Sequence, residues 1–212
     1  MLNQPVDISE DFFDTQHEFY IPGPVTQFDA EKAEGTICWN YHRWVHDWSF
    51  MKTGTHLKKF DEKEIFWHDQ DVHPEFHFSI SFINDRTFRL RMKTTQAPQV
   101  EHPSLMLVQE PPATKSWTHS DSKEKIIYAS AEGSIAIDKR NWKLEIFDKA
   151  GALLTATQGM DVLQALHHKN IPFLFTRRVT DYSRSIAASF SLSPGERIYG
   201  GGESFTALNK RG

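Results

Sequence analysis

Apolar and polar residues alternate with a period of two along "FHFSISFINDRTFRLRMKTT". Phe76, Phe78, Ile80 and Phe82 alternate with His77, Ser79 and Ser81, and Phe88, Leu90 and Met92 alternate with Arg89, Arg91 and Lys93. Successive side chains of a strand point to opposite faces, so this stretch predicts two half-buried strands joined at Asn84-Asp85 as a β-hairpin. The period returns in "GSIAIDKRNWKLEIFD", where Ile135 and Ile137 form one set and Trp142, Leu144 and Ile146 the other, around a turn at residues 138–141. "KIIYASA", "PFLFTRRV" and "SIAASFSLS" are further strands, each bounded by polar, Pro or Gly punctuation. Helical spacing occurs only in "MDVLQALHHK", where Val162, Leu163 and Leu166 share a face.

Two segments break the pattern. The first seventy or so residues scatter Trp44, Trp48, Phe60, Phe66 and Trp67 among polar residues and predict irregular strands or long loops laid over a sheet. "VEHPSLMLVQEPPATKSWTHSDSKEK" is Pro-rich and then charged, and reads as a loop. Short strands with tight connections point to an all-β, mainly antiparallel sandwich with at most short helices.

Composition narrows this picture. A chain of 212 residues with 39% hydrophobic and 25% charged residues has the apolar surface for a core, and is expected to be one domain. A net charge of −4 and a pI near 6.2 supply no basic field, so no nucleic-acid or membrane partner is expected. Cys38 is the single cysteine, no Asn-x-Ser/Thr sequon occurs, and the start "MLNQPVDISEDFFD" lacks a basic and then apolar leader. No run approaches the ~18 apolar residues of a spanning helix. The expected location is cytoplasmic.

Candidate chemistry is sparse. His68, Asp69, Asp71 and His73 cluster but match no zinc spacing, and a solvated loop accounts for them, so no metal or cofactor is expected. His167-His168 serve as a cationic end to the short helix. No G-x-S-x-G elbow is present, and Cys38, between Ile37 and Trp39, reads as a small buried hydrophobe. "YGGGES" carries Phe205 where a dinucleotide loop needs Gly, and no Gly-Lys-Ser/Thr follows, so a tight turn is the plainer reading. Tryptophans outside the strong strands remain. Trp44, Trp48 and Trp117 are candidate platforms for sugar rings, although a tryptophan more often packs in a core.

The end of the chain carries a motif. Tyr199, Gly200, Gly201, Gly202, Glu203, Ser204 and Phe205, followed by Leu208, Asn209 and Gly212, resemble glycoside hydrolase family 31, the family of α-glucosidases and α-xylosidases. The "RTFRLRM" strand is similar to an early strand of that family. Gly201 departs from the larger apolar residue often found there, which leaves the subfamily open. The resemblance implies a galactose-mutarotase-like β-supersandwich over residues 1–198 and a junction over 199–212 leading to a catalytic (β/α)8 barrel that this chain does not contain. Retaining hydrolysis needs two carboxyl groups ~5 Å apart. The resemblance puts both on the barrel, so it implies a glycosidase as parent and an inactive 212-residue chain.

It implies further that the sandwich packs on the barrel and lends a loop to the rim of a pocket for α-linked oligosaccharides or α-glycosides. "NYHRWVHDWSF" or the segment around Trp117 could supply that loop, with Trp44, Trp48 and Trp117 meeting sugar. Glu203, Phe205, Asn209 and Arg211 belong to the domain junction on this reading. Two other classes stay open: a stand-alone carbohydrate-binding module using the same tryptophans, and a mutarotase-like epimerase, for which no His-carboxylate pair stands out.

Overall fold

In a computed structural model of the chain, the residues described are 15–49, 52–64, 72–97, 116–157, 173–192 and 195–197, with 46–49 and 52–56 as backbone only. Twelve strands are described, all paired antiparallel: β1 (Glu18–Asp29), β2 (Glu34–Ser49), β3 (Lys52–Lys59), β4 (Glu75–Asn84), β5 (Thr87–Met92), β6 (Thr118–Asp121), β7 (Lys125–Ala129), β8 (Gly133–Asp138), β9 (Leu144–Asp148), β10 (Leu153–Ala156), β11 (Leu174–Arg177) and β12 (Arg184–Ala187). A seven-stranded sheet runs β12-β11-β1-β2-β4-β5, with β3 also on β2, and a five-stranded sheet runs β10-β9-β8-β7-β6. The sole helical element described is a single 3-10 turn at Glu62–Glu64.

The all-β sandwich expected from the periodicity is present, but the early segment corrects the sequence reading. Residues 18–49 do not lie over the large sheet; they form its middle, as its two longest strands of 12 and 16 residues. Ile37, Trp39 and Tyr41 face the core in strict alternation. On the opposite face of the same strand His42 is buried and Trp44 packs into a second cluster with Phe19, Leu57 and Leu174. A strand covered on both faces loses the apolar-polar alternation by which strands are recognised. Thr118–Asp121, expected as loop, is an edge strand whose four residues are all exposed, so it carries no hydrophobic signal. The first hairpin stands one residue later than predicted: Asn84 pairs Thr87, and Asp85-Arg86 make the turn. The helix expected around Val162, Leu163 and Leu166 lies outside the described residues.

Tyr20, Ile37, Trp39, Phe76, Phe78 and Phe175 of the large sheet meet Ile126, Tyr128, Ile135, Ile137 and Leu144 of the small one in a single core. Each such burial contributes about 1.5–3 kcal/mol. The rings interlock: Tyr20 stacks on Phe175 with centroids 4.6 Å apart, and Trp39 meets Phe175 edge-on at 4.9 Å. Trp142 takes a left-handed φ of 48° just before β9, yet its ring is buried against Phe173 at 5.2 Å.

"PGP" at residues 22–24 sits inside central strand β1, where proline removes a ladder donor. The ladder shifts register between Pro22 and Val25 and again before Gln27, the signature of a bulge. The Val25 amide leaves β2 and donates to the Lys139 carbonyl, in the β8-β9 turn of the other sheet, at 2.7 Å. Beside the bulge, a Cβ on Gly35 would collide with the Gln27 carbonyl and crowd the Phe78 ring, which requires glycine there.

Candidate functional site

Two parts of the sandwich hold the tryptophans singled out in the sequence. The first is the β2-β3 ribbon. β1 pairs β2 only as far as His42, whereas β3 continues the ladder from His42↔Lys59 to Ser49↔Lys52. Residues 43–49 therefore form an arm of two strands beyond the edge of β1. At its base Trp44, half-buried, meets Phe19 edge-on at 6.1 Å, and its indole nitrogen has no hydrogen-bond partner among the described residues. Trp48 stands opposite Thr53 near the far end; its side chain lies outside the description.

His42 ties the arm to the sheet. It is buried, and its Nδ1 lies 2.8 Å from the Asn40 carbonyl; a carbonyl only accepts, so Nδ1 carries the proton. Burial pushes this imidazole down to about 4, against the opposing pull of the Asn40 carbonyl. It is neutral at pH 7. Burial likewise pushes Tyr41, its neighbour on β2, up to about 12.

The second part lies where the β4-β5 turn of the large sheet meets the β7-β8 turn of the small one. Ser130 Oγ donates to the Asp85 carbonyl at 2.6 Å, and Arg86 Nε and Nη2 both donate to Glu132 Oε2, at 3.2 and 2.9 Å. Ser116 Oγ donates to the Asp85 carboxylate. Beside this clasp opens a groove of about 240 Å³, whose polar lining includes Asp85, Arg86 and Glu132. Phe88, Trp117, Ile146, Phe147 and Leu154 supply its apolar lining. The Trp117 ring is held twice: it stacks on Phe82 with centroids 4.9 Å apart, and its Nε1 donates to the Asn84 carbonyl at 2.9 Å.

The structure thus separates the three tryptophans. Trp44 and Trp48 share the arm, and Trp117 belongs to the groove. Glu203, Phe205, Asn209 and Arg211 lie outside the described residues, as do His68, Asp69 and Asp71. His73 is described, and its carbonyl faces the half-buried Cys38 sulfur at 3.9 Å. Among the described residues no three His, Cys, Asp or Glu side chains converge as metal ligands. None of the described helical residues forms a helix long and apolar enough to cross a membrane. Sequence reasoning missed Arg86 and Glu132, which are 46 positions apart and meet only because two turns from different sheets close on each other. The available signal was the charge in both hairpin turns.

Residues 77–212, more than half of the chain, match the family model described as glycosyl hydrolase 31 N-terminal galactose mutarotase-like domain. Two solved structures are similar over 92% of this chain. The cycloalternan-forming enzyme from Listeria monocytogenes, in complex with a pentasaccharide substrate, is 19% identical with a TM-score of 0.51. The uncharacterized protein lmo2446 from Listeria monocytogenes EGD-e is 17% identical with a TM-score of 0.50. The chain spans 14% of the length of each, and at this identity the likeness is one of fold. No curated protein matches the chain.

Proposed function

Because the chain belongs to the family of glycosyl hydrolase 31 N-terminal galactose mutarotase-like domains, we propose that it is the non-catalytic amino-terminal sandwich of a retaining exo-α-glycosidase acting on α-glucosides or α-xylosides. Residues 1–198 are the sandwich and 199–212 the passage to a catalytic (β/α)8 barrel, with Glu203, Phe205, Asn209 and Arg211 at the junction. The acid and the nucleophile of retaining hydrolysis stand on that barrel. The chain by itself turns over no substrate, and its single cysteine suits the cytoplasm.

The observation that supports a substrate-shaping role is the β2-β3 arm, which continues past the last β1 pairing and has Trp48 near its end. A position on a paired strand is fixed more precisely than one on a loop. Trp48 is the residue we place at the pocket rim, and Trp44 anchors the base of the arm.

The pure chain incubated with 4-nitrophenyl α-glucoside and α-xyloside is expected to release no nitrophenolate. Turnover that persists through purification to homogeneity would overturn the reading.

A further inference from the structure

Arg86 and Glu132 leave one edge of their ion pair open. Both guanidinium contacts, from Nε and from Nη2, go to Glu132 Oε2. Among the described residues Arg86 Nη1 and Glu132 Oε1 have no hydrogen-bond partner, and both residues line the groove, so a donor and an acceptor are left for a ligand. Trp117, Phe147 and Leu154 line the same groove, and Leu154 is half exposed.

We propose that this groove binds one pyranose ring, with the ring's C–H face on Trp117 and neighbouring hydroxyls of a vicinal diol hydrogen-bonding the Arg86 guanidinium and the Glu132 carboxylate. Each hydroxyl of a diol both donates and accepts, so one gives its proton to the carboxylate oxygen while its neighbour accepts from the guanidinium. A purely apolar ligand would strip water from the charged lining without replacing its hydrogen bonds. The volume of about 240 Å³ is below the ~300–1,000 Å³ of drug-sized sites, which suits a single ring and not a chain of them. Trp117 is already oriented by Phe82 and by the Asn84 carbonyl, so binding costs little side-chain ordering. This site needs no barrel and is separate from the β2-β3 arm.

The test is NMR titration of the 212-residue chain with methyl α-D-glucopyranoside and methyl α-D-xylopyranoside, following the indole N–H of Trp117, assigned by its loss in Trp117→Phe. At least one glycoside should shift that resonance saturably with a Kd near ~1–10 mM, and tetrahydropyran-2-methanol, which has no vicinal diol, should not. Arg86→Met and Glu132→Ala break a partly exposed pair, which should cost the fold little stability. Each should weaken binding at least ~10-fold.

No saturable shift with either glycoside, an equal response to the ether, or unchanged binding in both variants would overturn the proposal. The same spectra would show released methanol if the chain hydrolysed its probe, so a failure of the domain reading registers separately.

Discussion

Glu18 and Arg177 face each other across the β1-β11 ladder and form a 2.8 Å ion pair with both side chains almost entirely buried. Arg177 also lies over the Tyr182 ring at 4.3 Å. Removing one partner takes this contact from a charge buried in the sheet. Arg177→Met and Glu18→Gln should each lower unfolding stability by about 3–5 kcal/mol, and the double variant by clearly less than their sum. Urea unfolding of the four proteins checks this. Additive losses would show that the pair is not coupled.

His42 predicts the acid limb of the stability curve. Its folded pKa of about 4 lies below the ordinary value of 6.5, so the fold favours the neutral form. Stability from this group is fully present above pH 6.5. It declines as pH falls, because the unfolded chain takes up a proton that the native state refuses, and levels off below pH 4. The total is roughly 3 kcal/mol. Denaturation midpoints between pH 7 and 4 should fall more steeply in the wild type than in His42→Asn.

Gly35→Ala should destabilise by about 1–3 kcal/mol, because the new methyl meets the Gln27 carbonyl and the Phe78 ring, and neither can swing away. Thermal unfolding measures it. An unchanged midpoint would mean that the β1 bulge yields.

Tyr128→Phe removes the 2.7 Å hydrogen bond that its hydroxyl donates to the Ala30 carbonyl. That bond links the small sheet to the β1-β2 turn, and its loss should cost about 1–2 kcal/mol in chemical denaturation. A cost near zero would indicate that water takes over at Ala30.

The proposed reading gives Trp44 a role in stability and Trp48 a role in substrate contact. Trp44→Ala should cost about 2 kcal/mol, less than the ~3–5 of a fully buried tryptophan, because it empties the contact with Phe19. In the glycosidase proposed above, Trp48→Ala should raise KM several-fold with little change in melting temperature. The reverse ordering would remove the arm from the pocket rim.

The sheet-forming hairpins could be read from single residues because each has one wet face: Phe76, Phe78 and Ile80 against His77 and Ser79. β2 could not, since Ile37, Trp39 and Tyr41 face one cluster while, on its other face, Trp44 packs into a second and His42 is buried. The exposed edge strand at Thr118–Asp121 gave no hydrophobic cue at all. For the groove, Trp117 was identifiable as an aromatic in a polar setting. Arg86 and Glu132 were not, because their pairing depends on how the two sheets stack.

The pairing of β1 with β11 has a consequence for synthesis. Glu18 must wait for Arg177, 159 residues later in the chain, before its strand gains that neighbour. At ~5–20 residues per second this is roughly 10–30 s on the ribosome. Throughout that interval Phe19 and Ile21 sit on an unpaired strand edge. The nascent chain is therefore most exposed to misassociation just before β11 emerges, and slow codons within residues 150–173 would lengthen that window.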